Sequence, residues 1–297
     1  MYMDRTKSSY IYAGLAIFFW STVPTIFKIC LGELDILPML TIAVITSTLV
    51  LLAIVLHSGK WHLIRENSGK DLLNSAILGL VNPFLYYLIL LKAYKLLPAQ
   101  VAQPLNMIWP IILVFLSGPL LGQKIERKSF IALFISFIGV YLISSQGNPL
   151  HFDVSDLTGV FMAAGSSIFW AFYFILNVKD KRDEAVKLFL NFLFGSGYLL
   201  TAMILTGNCQ PVSGFKGAAG SVYIGIFEMG LTFFFWLKAL SLAKTTDKVS
   251  NLVYFAPFIS LLFVHFILSE PVYYTTPAGL VLIIGGILIQ TRKSVRI

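Results

Sequence analysis

The run GIFEMGLTFFFWLKAL, residues 225–240, holds one carboxylate, Glu228, followed for nine residues by apolar or small neighbours apart from Thr232. It lies about ten residues, hence about 15 Å along a helix, from either end of its apolar stretch. A charge facing hydrocarbon at that depth costs roughly 2.5–3.5 kcal/mol on insertion scales. A short carboxylate there is protonated, has a buried polar partner, or lines water. Protonation removes the charge, which makes Glu228 a candidate for taking up and releasing a proton. A neutral structural carboxylic acid is the competing reading. His265 is the second proton-coupling candidate, about 10 Å nearer the outer end by helical rise, or else a side chain that only hydrogen-bonds a neighbour.

Other polar residues recur at helical spacing, where positions three or four apart share a face. Ser21, Pro24, Thr25 and Lys28 form one stripe, and Ser166, Trp170, Tyr173 and Asn177 form another. Gln103, Asn106, Trp109 and Pro110 lie together, as do Asn82, Pro83 and Tyr86. Glu228, Thr232 and Trp236 follow the same rule, and so do Asn251, Tyr254, Phe258, Leu261 and His265. Polar groups inside membrane spans need partners, so these faces are expected to turn inward around an aromatic-walled cavity suited to an amphipathic small molecule. Each has a plainer alternative. Ser, Thr and Asn also glue helices together, Trp and Tyr anchor at interfaces, and Lys28 can snorkel outward. Pro24, Pro83, Pro110 and Pro257 each remove a backbone donor and are read as hinge or kink positions.

The elements that position these residues follow from composition. Of 297 residues, 57% are hydrophobic and 12% charged, against about 25% charged in soluble domains. A bilayer core about 30 Å thick takes about 20 apolar residues per helical crossing. Ten such runs are expected, at 9–28, 38–57, 72–92, 100–120, 129–146, 157–178, 187–206, 217–238, 249–268 and 273–291. The fold class is therefore an all-α polytopic membrane protein. With the N-terminus inside, 18 of the 22 Lys and Arg fall in cytoplasmic segments, including Lys60, Lys124, Arg182, Lys244, Lys248, Arg292, Lys293 and Arg296. Lys28, Lys92, Lys95 and Lys216 fall outside with Glu33, Asp35, Asp153, Asp156 and Glu270. That asymmetry places both termini in the cytoplasm, and it explains the net charge of +8 as a topology signal rather than a nucleic-acid footprint.

The chain also repeats itself. Lys92 corresponds to Lys238 at an offset of 146, and Pro110 to Pro257, Gln123 to Glu270 and Gly139 to Gly286 at 147. Two repeats, 1–148 and 149–297, then carry five spans each. An odd number forces the second to enter the membrane in the opposite sense, which is a transporter architecture with the substrate path near the midplane.

These features resemble the drug/metabolite transporter superfamily and its EamA-type halves. The resemblance covers nearly the whole chain. Its marks are the repeated LKA, the mid-helix Pro of each fourth span and the turn Ser269–Pro271. LAIFFWST (15–22), IWP (108–110), LGQK (121–124) and IFWAFY (168–173) are similar to its aromatic amino acid exporters. Met107 and Gln123 depart from that pattern. The resemblance implies a basic residue at Lys28, and a bacterial inner-membrane exporter of amino acids, aromatic ones included, working by alternating access.

Other classes stay open at this point. Purines, cationic drugs or polyamines exchanged for protons are the alternative cargo, and a membrane enzyme, lipid-handling protein or scaffold is the alternative class. Nucleotide-fold, P-loop, HExxH and GxSxG motifs are missing, and His57 and His62 have poor ligand spacing. No enzyme activity, cofactor, metal or ATP is expected. The expected partners are a small-molecule substrate and the lipid bilayer, with the chain a monomer or homodimer. Cys30 and Cys209 allow at most one bridge.

Overall fold

A computed structural model of the chain describes residues 5–122, 125–149, 157–208, 214–242, 249 and 251–291. Every regular element among them is helical. Gln123, Lys124, Asp153, Asp156, Cys209, Lys244, Lys248, Arg292, Lys293, Arg296 and the side chain of Asn251 lie outside the described residues. Seven helical stretches among those described are long and apolar enough to cross a membrane, from Arg5–Glu33 to Glu184–Thr206. Leu252–Leu268 and Thr275–Gln290 are shorter apolar helices. The expected span at 217–238 falls in a helical run that changes its winding midway.

The chain forms two compact units, and these draw on both ends of the sequence: Met1–Leu88 with Lys181–Ser269, and Ile89–Asp180 with Glu270–Ile297. In the first unit, α1 (Arg5–Glu33) and α2 (Ile36–His57) precede a short α3 (Trp61–Arg65) and α4 (Gly69–Gly79). A capping box starts α4, with Ser68 and Asp71 each accepting from the other's backbone N–H. The helix then breaks at Asn82, whose backbone is extended (φ −147°, ψ 121°), and resumes as α5 (Tyr86–Leu96), whose first residues close this part of the unit. Later come α10 (Glu184–Thr206), α11 (Phe215–Tyr223), a π-helical turn at Ile224–Leu231, α12 (Thr232–Leu242), a 3₁₀ turn at Asn251–Phe255 and α13 (Ala256–Leu268). α1 packs on α12 and α13, and α2 packs on α10 and the π turn.

The second unit holds the remainder of α5 with α6 (Ala99–Asn106), α7 (Trp109–Leu121), α8 (Arg127–Ser144), α9 (Leu157–Lys179) and α14 (Thr275–Thr291). α8 and α14 pack most extensively. They run antiparallel: Gly139 lies against the backbone of Gly279, and Gly286 against that of Ala132. Ser136 Oγ donates to Ile283 O at 3.4 Å across the same seam. An interval of 147 residues separates Ser136 from Ile283, and the same interval relates Gly139 to Gly286 and Ala132 to Gly279. The contact is thus reciprocal, as across a local two-fold axis. Small residues let these backbones approach closely, as is usual where lipid supplies no hydrophobic drive between helices.

Candidate functional site

Within the first unit, Glu228 sits inside the π turn. Such a turn adds a residue to the helical ring and leaves carbonyls in need of donors, a feature often found at functional positions. Ser47 of α2 supplies one, donating to Met229 O at 3.0 Å. Gly225 and Gly230 permit α2 to come this near, since a Cβ on Gly225 would meet Ala43 O and Thr46 Cβ. The Glu228 side chain is half-buried, and its Oε1 accepts a 3.1 Å hydrogen bond from the Tyr87 hydroxyl. Tyr87 is buried, with Tyr86 edge-on at 4.7 Å and Phe27 at 6.4 Å. The residue before the carboxylate, Phe227, stacks on Phe19 at 4.2 Å with Tyr223 at 4.7 Å, and the Tyr223 hydroxyl meets Thr22 Oγ1 at 2.8 Å.

The other expected residues of this unit divide into two groups. Ser21 bonds back to Ile17 O at 2.6 Å and so is satisfied within its own helix. Thr25, Asn82 and Thr232 are 1%, 3% and 0% exposed, and each holds a buried side-chain oxygen with no partner among the described residues. Such groups cost about 1–3 kcal/mol when left unsatisfied. Lys28 and Tyr254 are half-buried, whereas His265 is exposed with its ring at 5.1 Å from Phe266. The structure brings Glu228 to Tyr87 rather than to His265. Pro83 lies at the Asn82 break, and Pro257 starts α13. α1 continues through Pro24 without interruption.

In the second unit, α6 ends at Asn106 and α7 begins at Trp109, with Pro110 in its first turn. Asn106 spans that break: its Nδ2 donates to Ser166 Oγ at 2.7 Å, and its backbone carbonyl accepts from Ser167 Oγ at 2.9 Å. Both serines lie on α9. Around this junction Trp109 meets Trp170 at 6.4 Å and Phe174 at 5.8 Å, and Trp170 meets Tyr173 at 6.0 Å. Gln103 is half-buried, with an oxygen that has no partner among the described residues. Asn177 is buried one turn beyond Tyr173. Ser166, Trp170, Tyr173 and Asn177 all lie on the single helix α9.

Sequence reasoning missed Tyr87, Ser47 and the Thr22–Tyr223 contact. The helical winding from Asn82 onward is interrupted by its extended backbone. Tyr87, one residue after the expected site residue Tyr86, is the partner of the carboxylate. Sequence reasoning also missed a polar cluster at the base of the first unit. There Arg182 donates to Asn67 Oδ1 and Ser75 Oγ, both at 2.8 Å, and Lys60 pairs with Asp183 at 2.7 Å. A cavity of about 240 Å³ opens beside it, lined by Glu66, Asn67, Asp71, Arg182 and Asp183 with two aliphatic side chains. None of the residues expected to bind substrate lines it. Burial pushes the Asp183 carboxyl upward, but the Lys60 hydrogen bond and the N–H groups of Val186 and Ala185 outweigh it and hold it below the usual range. Cys30 is a buried free thiol.

Comparison with known proteins agrees with the membrane character of the fold. The chain is 26% identical over 290 residues to an uncharacterized transporter of Archaeoglobus fulgidus, covering 97% of this chain and 98% of that one. It is 26% identical to the uncharacterized transporter YvbV of Bacillus subtilis over 72% of this chain and 70% of that one. Protein PecM of Dickeya dadantii matches at 26% over 72% and 71%. A crystal structure of a protein 19% identical in sequence superposes with a TM-score of 0.66 over 96% of both chains, a likeness of fold. The model of the EamA-like transporter family matches twice, over residues 7–145 and 157–292. With apolar helices long enough to span a bilayer and two matches that together take in most of its length, this chain belongs to the EamA-like transporter family and is a multi-pass membrane transporter.

Proposed function

We propose that this chain is a secondary active transporter that exports amino acids, aromatic ones included, across a bacterial inner membrane by alternating access. The observation that carries this reading is the hydrogen-bonded Glu228–Tyr87 pair inside a membrane helix, since a carboxylate at that depth needs a function to keep it there. The aromatic faces of Trp109, Trp170 and Tyr173 beside Asn106 supply apolar bulk with a few orienting polar groups, the usual make-up of a small-molecule site. Ten spans in two inverted five-helix repeats, 1–148 and 149–297, with both termini cytoplasmic, are the proposed topology. The reciprocal α8–α14 seam supports it, because an inverted duplication creates such a contact between its two fifth helices.

In this reading Glu228 exchanges a proton during the cycle. The decisive experiment is counterflow of labelled amino acids into liposomes holding the purified chain. Exchange of aromatic amino acids is expected, and no counterflow with any metabolite tested refutes the transport reading. Glu228→Gln is expected to flatten the pH dependence of uptake. A pH profile identical to that of the unaltered chain removes the proton role.

A further inference from the structure

Among the described residues, Glu228 meets no counter-ion. Tyr87 donates to Oε1, and no donor among those residues reaches the second oxygen. Their ion pairs join other side chains, and none includes Glu228. The titratable neighbours are phenols: Tyr87 itself, and Tyr223, whose hydroxyl is already engaged with Thr22. A phenol relieves part of the cost of burying a carboxylate but leaves the charge in place. Glu228 as a whole is partly rather than fully buried, and the hydroxyl of Tyr87 engages only one of its two carboxylate oxygens. One turn along, the fully buried Thr232 hydroxyl has no partner among the described residues. Rings gather on Tyr87, the partner of Glu228, which meets Phe27, and on the preceding residue Phe227, which meets Phe19 and Tyr223, and aromatic faces attract a desolvated cation.

A group that fits these surroundings is cationic, carries N–H donors and arrives and leaves with the cargo. We propose that Glu228, oriented by Tyr87, binds the protonated amine of the substrate, so that the compounds carried are those with a free ammonium group. The proposal rests on the transport reading above and sharpens it to a recognition element. Glu228 is the binding residue. Tyr87 is a positioning residue that fixes one carboxylate oxygen and leaves the other for the ammonium.

The test uses the full chain in liposomes and three labelled probes: L-phenylalanine, 2-phenylethylamine, which lacks the carboxylate, and 3-phenylpropionate, which lacks the amine. Phenylalanine is expected to exchange at least about tenfold better than phenylpropionate, the scale of one charge-assisted hydrogen bond. Glu228→Gln should bring that ratio close to one, while Glu228→Asp retains part of it. Tyr87→Phe should lower the ratio severalfold, and a merely structural tyrosine would leave it unmoved. Equal exchange of phenylpropionate, or a ratio unchanged in Glu228→Gln, overturns the amine site and leaves a proton as the sole occupant of Glu228. If phenylethylamine exchanges and no amino acid does, the amine site stands and the amino acid reading falls. If no probe exchanges, both fall.

Discussion

Two adjacent glycines of α14 allow a sharp test of the seam with α8. A Cβ added at Gly286 would strike Ser136 Oγ and lie 2.7 Å from the carbonyl oxygen of Ala132, where ordinary contacts are 3.4–4 Å. Ser136 can turn its hydroxyl away, but the Ala132 carbonyl belongs to a helical backbone and yields only if α8 moves. Overpacking of this kind costs about 1–3 kcal/mol. A Cβ at Gly285, one residue earlier, meets nothing within 4 Å. Both substitutions gain about 0.5–1 kcal/mol from the greater helix preference of alanine. That gain cancels in the comparison, so Gly286→Ala should be less stable than Gly285→Ala by about the full clash, 1–3 kcal/mol. Thermal unfolding of the two variants in one detergent measures the difference. Gly285→Ala is expected at or above the unaltered protein and Gly286→Ala several degrees below it. Equal transitions for the two would refute the close approach of α8 and α14.

Three further outcomes rest on the same kind of geometry. Gly139→Ala should match Gly286→Ala, because its Cβ meets Gly279 and Ile283, the latter at 2.9 Å; a neutral result there against a damaging one at Gly286 would deny that the seam is reciprocal. Asn106→Ala removes the 2.7 Å bond to Ser166 and should cost about 1 kcal/mol, read by thermal unfolding, with unchanged stability counting against the bridge. The Asp183 carboxyl is held below its usual range, so its pairing with Lys60 stabilises the fold above the ordinary carboxylate pKa, and that contribution fades as pH falls through the lowered value. Both partners are partly exposed, so the effect is at most about 1 kcal/mol; Asp183→Asn should remove this acid dependence, and stability curves that run parallel through the acid range would disprove it.

The membrane spans were legible because lipid imposes a simple requirement, about 20 apolar residues per crossing. The run expected at 38–57 became α2 at Ile36–His57, and that at 129–146 became α8 at Arg127–Ser144. Faces were legible only where winding stays regular. α9 is wound regularly over Leu157–Lys179, and on it Ser166 bonds Asn106 and Trp170 meets Tyr173. On the ninth expected span the count began in a 3₁₀ turn, Asn251–Phe255, which advances faster than an α-helix. Leu261 is buried there, while His265, counted onto the same stripe, is exposed. Pro83 lies at the break near Asn82 and Pro110 just beyond that at Asn106, and nothing in the letters IGIFEMGL announces a π turn. The spatial grouping was likewise hidden. Each compact unit combines distant stretches of chain, and such pairing is decided by close contacts such as Gly79 on Asn191, in which each helix sees only half of the fit.

The seam between α8 and α14 has one more consequence. Because each side presents to the other what it receives, added bulk at position 139 and added bulk at position 286 collide with equivalent stretches of main chain. Two sites far apart in the gene thus answer to a single steric constraint. Their histories should be coupled, and a lineage that enlarges one must either make room in the opposite helix or lose the joint.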